Sequence, residues 1–157
     1  MVRSTKQYIV LFIVLLLATI GINAWSASIH PDGTIGLLQI TVSVVWLVFL
    51  TASIVLIREE KTLSFVFYYL SFGFVAGTVI YLVTFFERYW LGELWFDIVS
   101  GIQYPFYFIF AVPLFGFNAW LDISYGQFAM FAGFAYIVLA IGVSVRSKKL
   151  EAKRLRY

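Results

Sequence analysis

The residues that could do acid–base or metal chemistry lie in the short segments between hydrophobic runs. Carboxylates beside an imidazole can transfer protons or bind a divalent metal. Their spacing here matches no HExxH or DxD motif, so the sequence indicates neither a metal site nor a catalytic residue. This polar cluster comprises the single histidine and six charged residues: His30, Asp32, Glu87, Arg88, Glu93, Asp97 and Asp122.

Several other classes of chemistry are excluded by composition. The chain contains no cysteine, so disulfides, thiolate catalysis and cysteine-ligated metals are ruled out. It also contains no glycine-rich phosphate loop and no serine-nucleophile motif, and it therefore indicates no cofactor.

A second set of candidate residues is uncharged and lies within or beside the hydrophobic runs. These side chains either hydrogen-bond between helices, each contributing on the order of 0.6 kcal/mol, or line a pocket for a lipid or another apolar molecule. Both interpretations remain open at this stage. The residues are Asn23, Gln39, Ser43, Tyr81, Gln103 and Asn118.

The elements that must position these residues are predicted to be membrane-spanning helices. The chain is 62% hydrophobic and only 12% charged, whereas soluble domains average about 25% charged residues. We expect an all-α membrane protein, an antiparallel four-transmembrane-helix bundle forming a single integral-membrane domain over residues 1–157. Four uncharged runs are long enough to cross a bilayer: about 7–29, 35–57, 62–86 and 126–145.

A fifth uncharged run, 98–121, decides the topology. If it does not cross and the N-terminus is cytoplasmic, ten Lys and Arg residues lie inside and only Arg88 lies outside. Five crossings give at best seven inside and four outside. Because cationic loops resist translocation, the count favours a broken interfacial or re-entrant segment over about 89–121 on the outer side. Five transmembrane helices are the alternative.

The local pattern of this segment suits an interfacial position. Residues 85–128 contain 16 of the 32 aromatic residues. Apolar residues from Leu94 to Ile102 recur at helical spacing, which predicts an amphipathic helix at the headgroup boundary. Pro105 is expected to end or kink this helix, and Pro113 lies in the stretch that follows.

Small residues predict where two of the helices pack. Gly73 and Gly77 form a small-xxx-small face on the third helix, and Ala129 and Gly133 form a similar stripe on the last. Such faces let helix backbones approach closely. Residues 146–157 form a basic tail that we expect in the cytoplasm, on the same side as the N-terminus.

The function predicted from these features is non-enzymatic. We expect a multi-pass protein of the plasma membrane, surrounded by membrane lipids. It would serve as an accessory, regulatory or immunity-type subunit that contacts a larger membrane protein through its aromatic outer segment. The cations flank hydrophobic runs, so they indicate no nucleic-acid partner. An alternative is a binder or carrier of a lipid or apolar small molecule in an outer-leaflet pocket. A third hypothesis is an outer-leaflet enzyme that uses the carboxylates with His30.

Overall fold

The structure is a computed structural model that describes residues 5–31, 34–90 and 93–154. The side chains of residues 88, 95, 97, 99, 153 and 154 lie outside that description. The described residues form helices and short connections, with no strand among them. In chain order the elements are α1 (Thr5–Ile29), α2 (Leu37–Leu56), α3 (Glu60–Trp90), α4 (Leu94–Phe106), a π-helical turn (Tyr107–Ala111), a 3₁₀ helix (Val112–Phe117), α5 (Asn118–Leu121) and α6 (Tyr125–Arg154).

Five helical segments are long and apolar enough to cross a membrane, judged by length and composition. The chain is therefore an all-helical protein with the features of a multi-pass membrane protein. The segments are Thr5–Ile29, Leu37–Leu56, Glu60–Glu87, Ser100–Leu121 and Tyr125–Ala152.

The predicted helix boundaries differ most at the last helix. The first two predicted runs agree with α1 and α2 to within two residues at each end. The last helix was expected to end near residue 145, but α6 continues to Arg154. Hydropathy falls after Val145, yet the residues that follow are mostly Lys, Arg, Glu, Leu and Ala, which are strong helix formers. The basic tail is therefore helical up to Arg154.

Helices α3 and α6 pack closely against each other. A Cβ atom on Gly77 would overlap the carbonyl oxygen of Ala129 and crowd the Cα atom of Gly133. A Cβ atom on Gly73 would overlap the ring of Tyr136. The four small residues predicted to pack, Gly73, Gly77, Ala129 and Gly133, thus lie where α3 and α6 meet.

Contacts along the bundle give the helices their relative directions. Gly126, at the start of α6, lies against Thr84 near the end of α3, whereas Tyr136 lies against Gly73 further back along α3. These two helices are therefore antiparallel. We call the end of the bundle where α1 ends and α6 begins the His30 end. The opposite end, where α1 and α3 begin, is the Glu59 end.

The segment between α3 and α6 is helical but changes its hydrogen-bond pattern twice. Pro105 does not end α4, which continues to Phe106 before the π-helical turn. The residue four positions before this proline is Gly101, whose carbonyl is the acceptor that an N–H group at position 105 would have reached.

This broken segment is the most enclosed part of the protein. Half of the most apolar stretch within Ser100–Leu121 is buried inside the protein. In the other four apolar segments the corresponding share is 22–39%. Irregular backbone at membrane depth needs cover from protein rather than from lipid. The burial of this stretch satisfies that requirement.

Candidate functional site

Two tyrosine hydroxyls bond to the backbone where the helical pattern changes. Pro113 has no N–H group, so it cannot donate to Ile109 O, four residues earlier, or to Phe110 O, three residues earlier. The Tyr69 hydroxyl from α3 donates to Ile109 O at 3.1 Å. The Tyr136 hydroxyl from α6 donates to Phe110 O at 2.7 Å. Side chains of two helices thus donate to the two carbonyls that an N–H group at position 113 could have reached.

The 3₁₀ helix is bonded on its other side by two buried polar residues. Asn23 of α1 donates through Nδ2 to Ser43 Oγ at 3.0 Å and to Pro113 O at 3.4 Å. Ser43 Oγ also accepts from the Gly116 N–H at 3.0 Å. A Cβ atom on Gly116 would overlap the backbone carbonyl of Gln39, so only glycine permits this close approach of the segment to α2.

Gln39 links α2 to the end of α1. Its Nε2 donates to Ser26 Oγ at 3.3 Å. Its Oε1 accepts from the Gly36 N–H at 3.1 Å, which satisfies a free donor at the start of α2. Ser26 Oγ in turn donates to Thr34 O at 3.4 Å. Both the oxygen and the nitrogen of the Gln39 side-chain amide are therefore used in hydrogen bonds within the chain.

His30 and Asn118 connect the end of α1 to the residues just before α6. Asn118 Nδ2 lies 3.2 Å from His30 Nε2. The Asn118 amide also exchanges two hydrogen bonds with the backbone of Ile123, at 3.1 and 3.2 Å. His30 Nε2 is 3.9 Å from Asp122 Oδ1, and its ring meets Phe115 edge-on.

The remaining members of the polar cluster are not brought together where the structure describes them. Glu87 is half-buried on α3 and Glu93 is exposed ahead of α4. Asp32 lies outside the described residues, as do the side chains of Arg88 and Asp97. Among the described residues no group of three His, Asp or Glu side chains could hold a metal ion.

The predicted ligand-binding residues do not share one pocket. Asn23, Gln39, Ser43 and Asn118 form the contacts described above, and Gln103 is buried on α4. Tyr81 lies elsewhere, beside a groove of about 400 Å³ between α3 and α6. The other residues that line this groove are Gln127, Met130, Phe131 and Phe134.

The tyrosines that bond the broken segment were not among the residues predicted from the sequence. Pro113 is the signal that could have led to them, because a proline identifies the carbonyls three and four residues earlier, one of which loses its backbone donor. The sequence does not show which side chains reach those carbonyls, since Tyr69 and Tyr136 lie 40 and 26 residues away from their acceptors.

No protein family, curated protein or solved structure matches this chain. Its function must therefore follow from the contacts and exposed surfaces of the described residues.

Proposed function

We propose that the chain crosses the membrane four times and that residues 94–121 enter at the His30 end and return to it. Leu94 follows the end of α3 after a short connection. Asn118 contacts His30 and Ile123, directly before α6 begins. Between these points, the carbonyl of Phe110 accepts from Tyr136, well inside α6. A crossing segment would instead finish at the Glu59 end.

The orientation follows from the charges. With four crossings, the Glu59 end together with both termini contains ten of the eleven Lys and Arg residues. The positive-inside rule then places that end in the cytoplasm and the His30 end outside the plasma membrane. Arg146 supports this placement as an anchor, because its Nη2 donates to Val55 O at 3.3 Å at the end of α2, where cations stabilise a helix terminus.

On this topology we propose that the protein is a non-enzymatic accessory, regulatory or immunity-type subunit that contacts a larger membrane protein through α4, within its aromatic outer segment. The observation that favours this function is an exposed apolar stripe along α4. Leu94 is 76% exposed, Ile98 63% and Ile102 58%. The opposite face of α4 is buried at Phe96 and Gln103.

Gly101 adds a second feature to the α4 stripe. A Cβ atom at this position would meet nothing within 4 Å, so no packing inside the chain requires a glycine here. Small residues on a lipid-facing helix permit close approach by another helix. Exposed apolar side chains near the His30 end also include Trp25 and Trp120, and the α4 stripe is preferred as the contact surface because it combines a row of apolar residues with this small residue.

Photo-cross-linking tests this function directly. A photoreactive amino acid at Ile98 is expected to yield a discrete protein adduct in intact membranes. The matched control is Val138 on α6, which is 67% exposed and lies away from α4. Lipid adducts alone at both positions would contradict the proposal.

A substitution at Gly101 distinguishes loss of partner binding from loss of folding stability. Gly101→Leu is expected to leave the thermal stability of the purified protein unchanged or slightly raised, because the site has open space and glycine weakens a helix. The same change should remove the protein partner from a mild-detergent pull-down. Retention of the partner, or recovery of the bare chain with the unsubstituted protein, would count against α4 as the contact surface.

The groove beside Tyr81 favours a second candidate function, binding of a lipid or another apolar molecule. Its volume of about 400 Å³ falls within the range of small-molecule sites. Met130→Trp should fill the groove and remove a bound lipid from native mass spectra. Val138→Trp, on the same helix but outside the groove lining, should leave that lipid bound. Identical lipid binding in both variants would exclude the groove as the lipid-binding site.

A further inference from the structure

Three buried polar atoms without a hydrogen-bond partner lie next to one another where α4 gives way to the π-helical turn. They are Gln103 Oε1, Tyr107 Oη and Tyr125 Oη, and none has a partner among the described residues. Gln103 is 4% exposed and Tyr107 is 3% exposed. The α4 stripe, by contrast, is apolar and faces outward.

The three side chains are neighbours in space. The Tyr107 N–H donates to Gln103 O, which places the two residues one helical turn apart on one face of the segment. The Tyr125 ring, from the start of α6, lies against the Tyr107 ring with 4.2 Å between ring centroids. The cluster therefore lies where the broken segment meets α6.

The backbone at this point is unusual as well. Tyr107 is the first residue of the π-helical turn, and π-helical turns occur frequently at functional sites. An extended turn that carries a buried hydroxyl without a partner is a second reason to expect a guest here.

The chemistry of the three groups limits what they could bind. A tyrosine hydroxyl donates one hydrogen bond and also accepts, whereas the amide oxygen of glutamine only accepts. The three groups are a neutral amide and two hydroxyls, and the Glu87 carboxyl group on α3 lies close enough to Tyr125 to act on it, so the cluster disfavours an anion and suits a neutral hydroxyl. Burying such groups unpaired destabilises a protein, and a guest that both donates and accepts hydrogen bonds removes that cost.

We propose that Gln103, Tyr107 and Tyr125 form a binding site for a neutral hydroxyl group. Two molecules can supply this group at the proposed depth: a neutral lipid alcohol such as diacylglycerol, or water. In either case the guest accepts from a tyrosine hydroxyl and donates to Gln103 Oε1. The site is independent of the proposed contact through α4.

Two substitutions that preserve side-chain volume test the site. Tyr107→Phe removes the hydroxyl, Gln103→Met removes the amide oxygen and nitrogen together, and both keep most of the packing. If the hydroxyl guest is bound, each change should lower the melting temperature of the purified protein by about 2–4 °C. Tyr68→Phe is the control, because Tyr68 on α3 is largely exposed and its ring contacts Phe67 rather than the cluster.

The opposite result would overturn the proposal. If the three polar atoms are simply unpaired, their removal should leave the melting temperature unchanged or raise it, because deleting an unpaired buried group relieves a cost. Should either variant fail to fold, Tyr125→Phe provides the same test at a less buried ring. A melting temperature equal to that of the unsubstituted protein would again exclude the site.

A second arm identifies the source of the hydroxyl. The unsubstituted protein is stripped of lipid in detergent and then supplied with dioleoylglycerol in mixed micelles. A loss of stability on stripping that dioleoylglycerol restores, and does not restore in Tyr107→Phe, assigns the site to a lipid alcohol. Insensitivity to both treatments, together with destabilised variants, assigns it to water.

Discussion

At Pro113 the backbone lacks one N–H group, and two tyrosine hydroxyls bond to the carbonyls that a helical N–H would have reached. The rings of Tyr69 and Tyr136 also pack against each other, with 5.8 Å between their centroids. Ring packing and hydroxyl bonding are separable, because phenylalanine keeps the ring and removes the hydroxyl. We expect the two hydroxyls to stabilise the fold in addition to the packing of the rings.

Tyr136→Phe is therefore expected to lower the free energy of unfolding by about 0.5–1.5 kcal/mol, since it removes a buried hydrogen bond to the Phe110 carbonyl. Thermal unfolding in detergent micelles measures the loss. Tyr68→Phe is the matched control on the neighbouring α3, where Tyr68 is largely exposed. Equal stabilities for the two variants would show that the Tyr136 hydroxyl contributes nothing.

At this scale the sequence predicted the polar residues better than it predicted their partners. Asn23, Ser43 and Asn118 were identified because amides and hydroxyls are rare in apolar runs, and hydrogen bonding between helices was one of the two roles expected of them. In the structure Asn23 donates to Ser43 and Ser43 accepts from Gly116, whereas Asn118 contacts His30 and the nearby backbone of Ile123. Tyr69 was not identified, because a tyrosine in an aromatic-rich chain does not stand out by type.

At the scale of the elements, the short distance between α3 and α6 depends on glycine. Gly77→Ala adds a methyl group against the carbonyl of Ala129 and the backbone of Gly133. Neither contact can yield without moving a helix, so the change should destabilise the protein by about 1–3 kcal/mol. Thermal unfolding compared with Gly21→Ala checks this, because Gly21 has nothing within 4 Å of an added Cβ atom. A stability loss of the same size in both variants would contradict close α3–α6 packing.

The connection between α2 and α3 gives a prediction for pH. A hydrogen bond from the Thr5 side chain, with further contributions from Thr62 and Lys61, lowers the pKa of the Glu59 carboxyl. Because the folded-state pKa is the lower one, the carboxylate stabilises the fold at neutral pH. That contribution is lost as the pH falls through the folded-state pKa.

Glu59→Gln should accordingly lower the melting temperature slightly at neutral pH and flatten its decrease toward about pH 4. The effect is small, because the group is at the surface. A series of melting curves from neutral to acidic pH measures it. Parallel pH profiles for the two proteins would show that the Thr5 contact does not stabilise the charged form.

The elements also show where sequence patterns reach their limit. Charge-free runs predicted α1 and α2 to within two residues, because the apolar stretch and the helix coincide there. Pro105 and Pro113 have the same chemistry, but only the second lies where the helical pattern changes to 3₁₀. Around Pro113 the backbone carbonyls accept from tyrosines on α3 and α6, which are tertiary contacts that a local sequence pattern does not contain.

For the whole molecule, the proposed topology depends on two independent observations. The distribution of Lys and Arg favours four crossings over five, because it leaves only Arg88 outside. The contacts of Asn118 with His30 and Ile123 favour a return of the segment to its side of entry. The distribution of Lys and Arg comes from the sequence alone, whereas the Asn118 contacts come from the structure alone.

The most direct test is cysteine accessibility, and the chain is suited to it because it contains no cysteine of its own. Single cysteines at Glu93 and Ser124 flank the broken segment at exposed positions, and Glu151→Cys on the extension of α6 is the control for the other side. We predict that a membrane-impermeant maleimide labels positions 93 and 124 on intact cells and labels position 151 only after permeabilisation. Labelling of positions 93 and 124 from opposite sides of the membrane would show that the segment crosses, and would contradict the account.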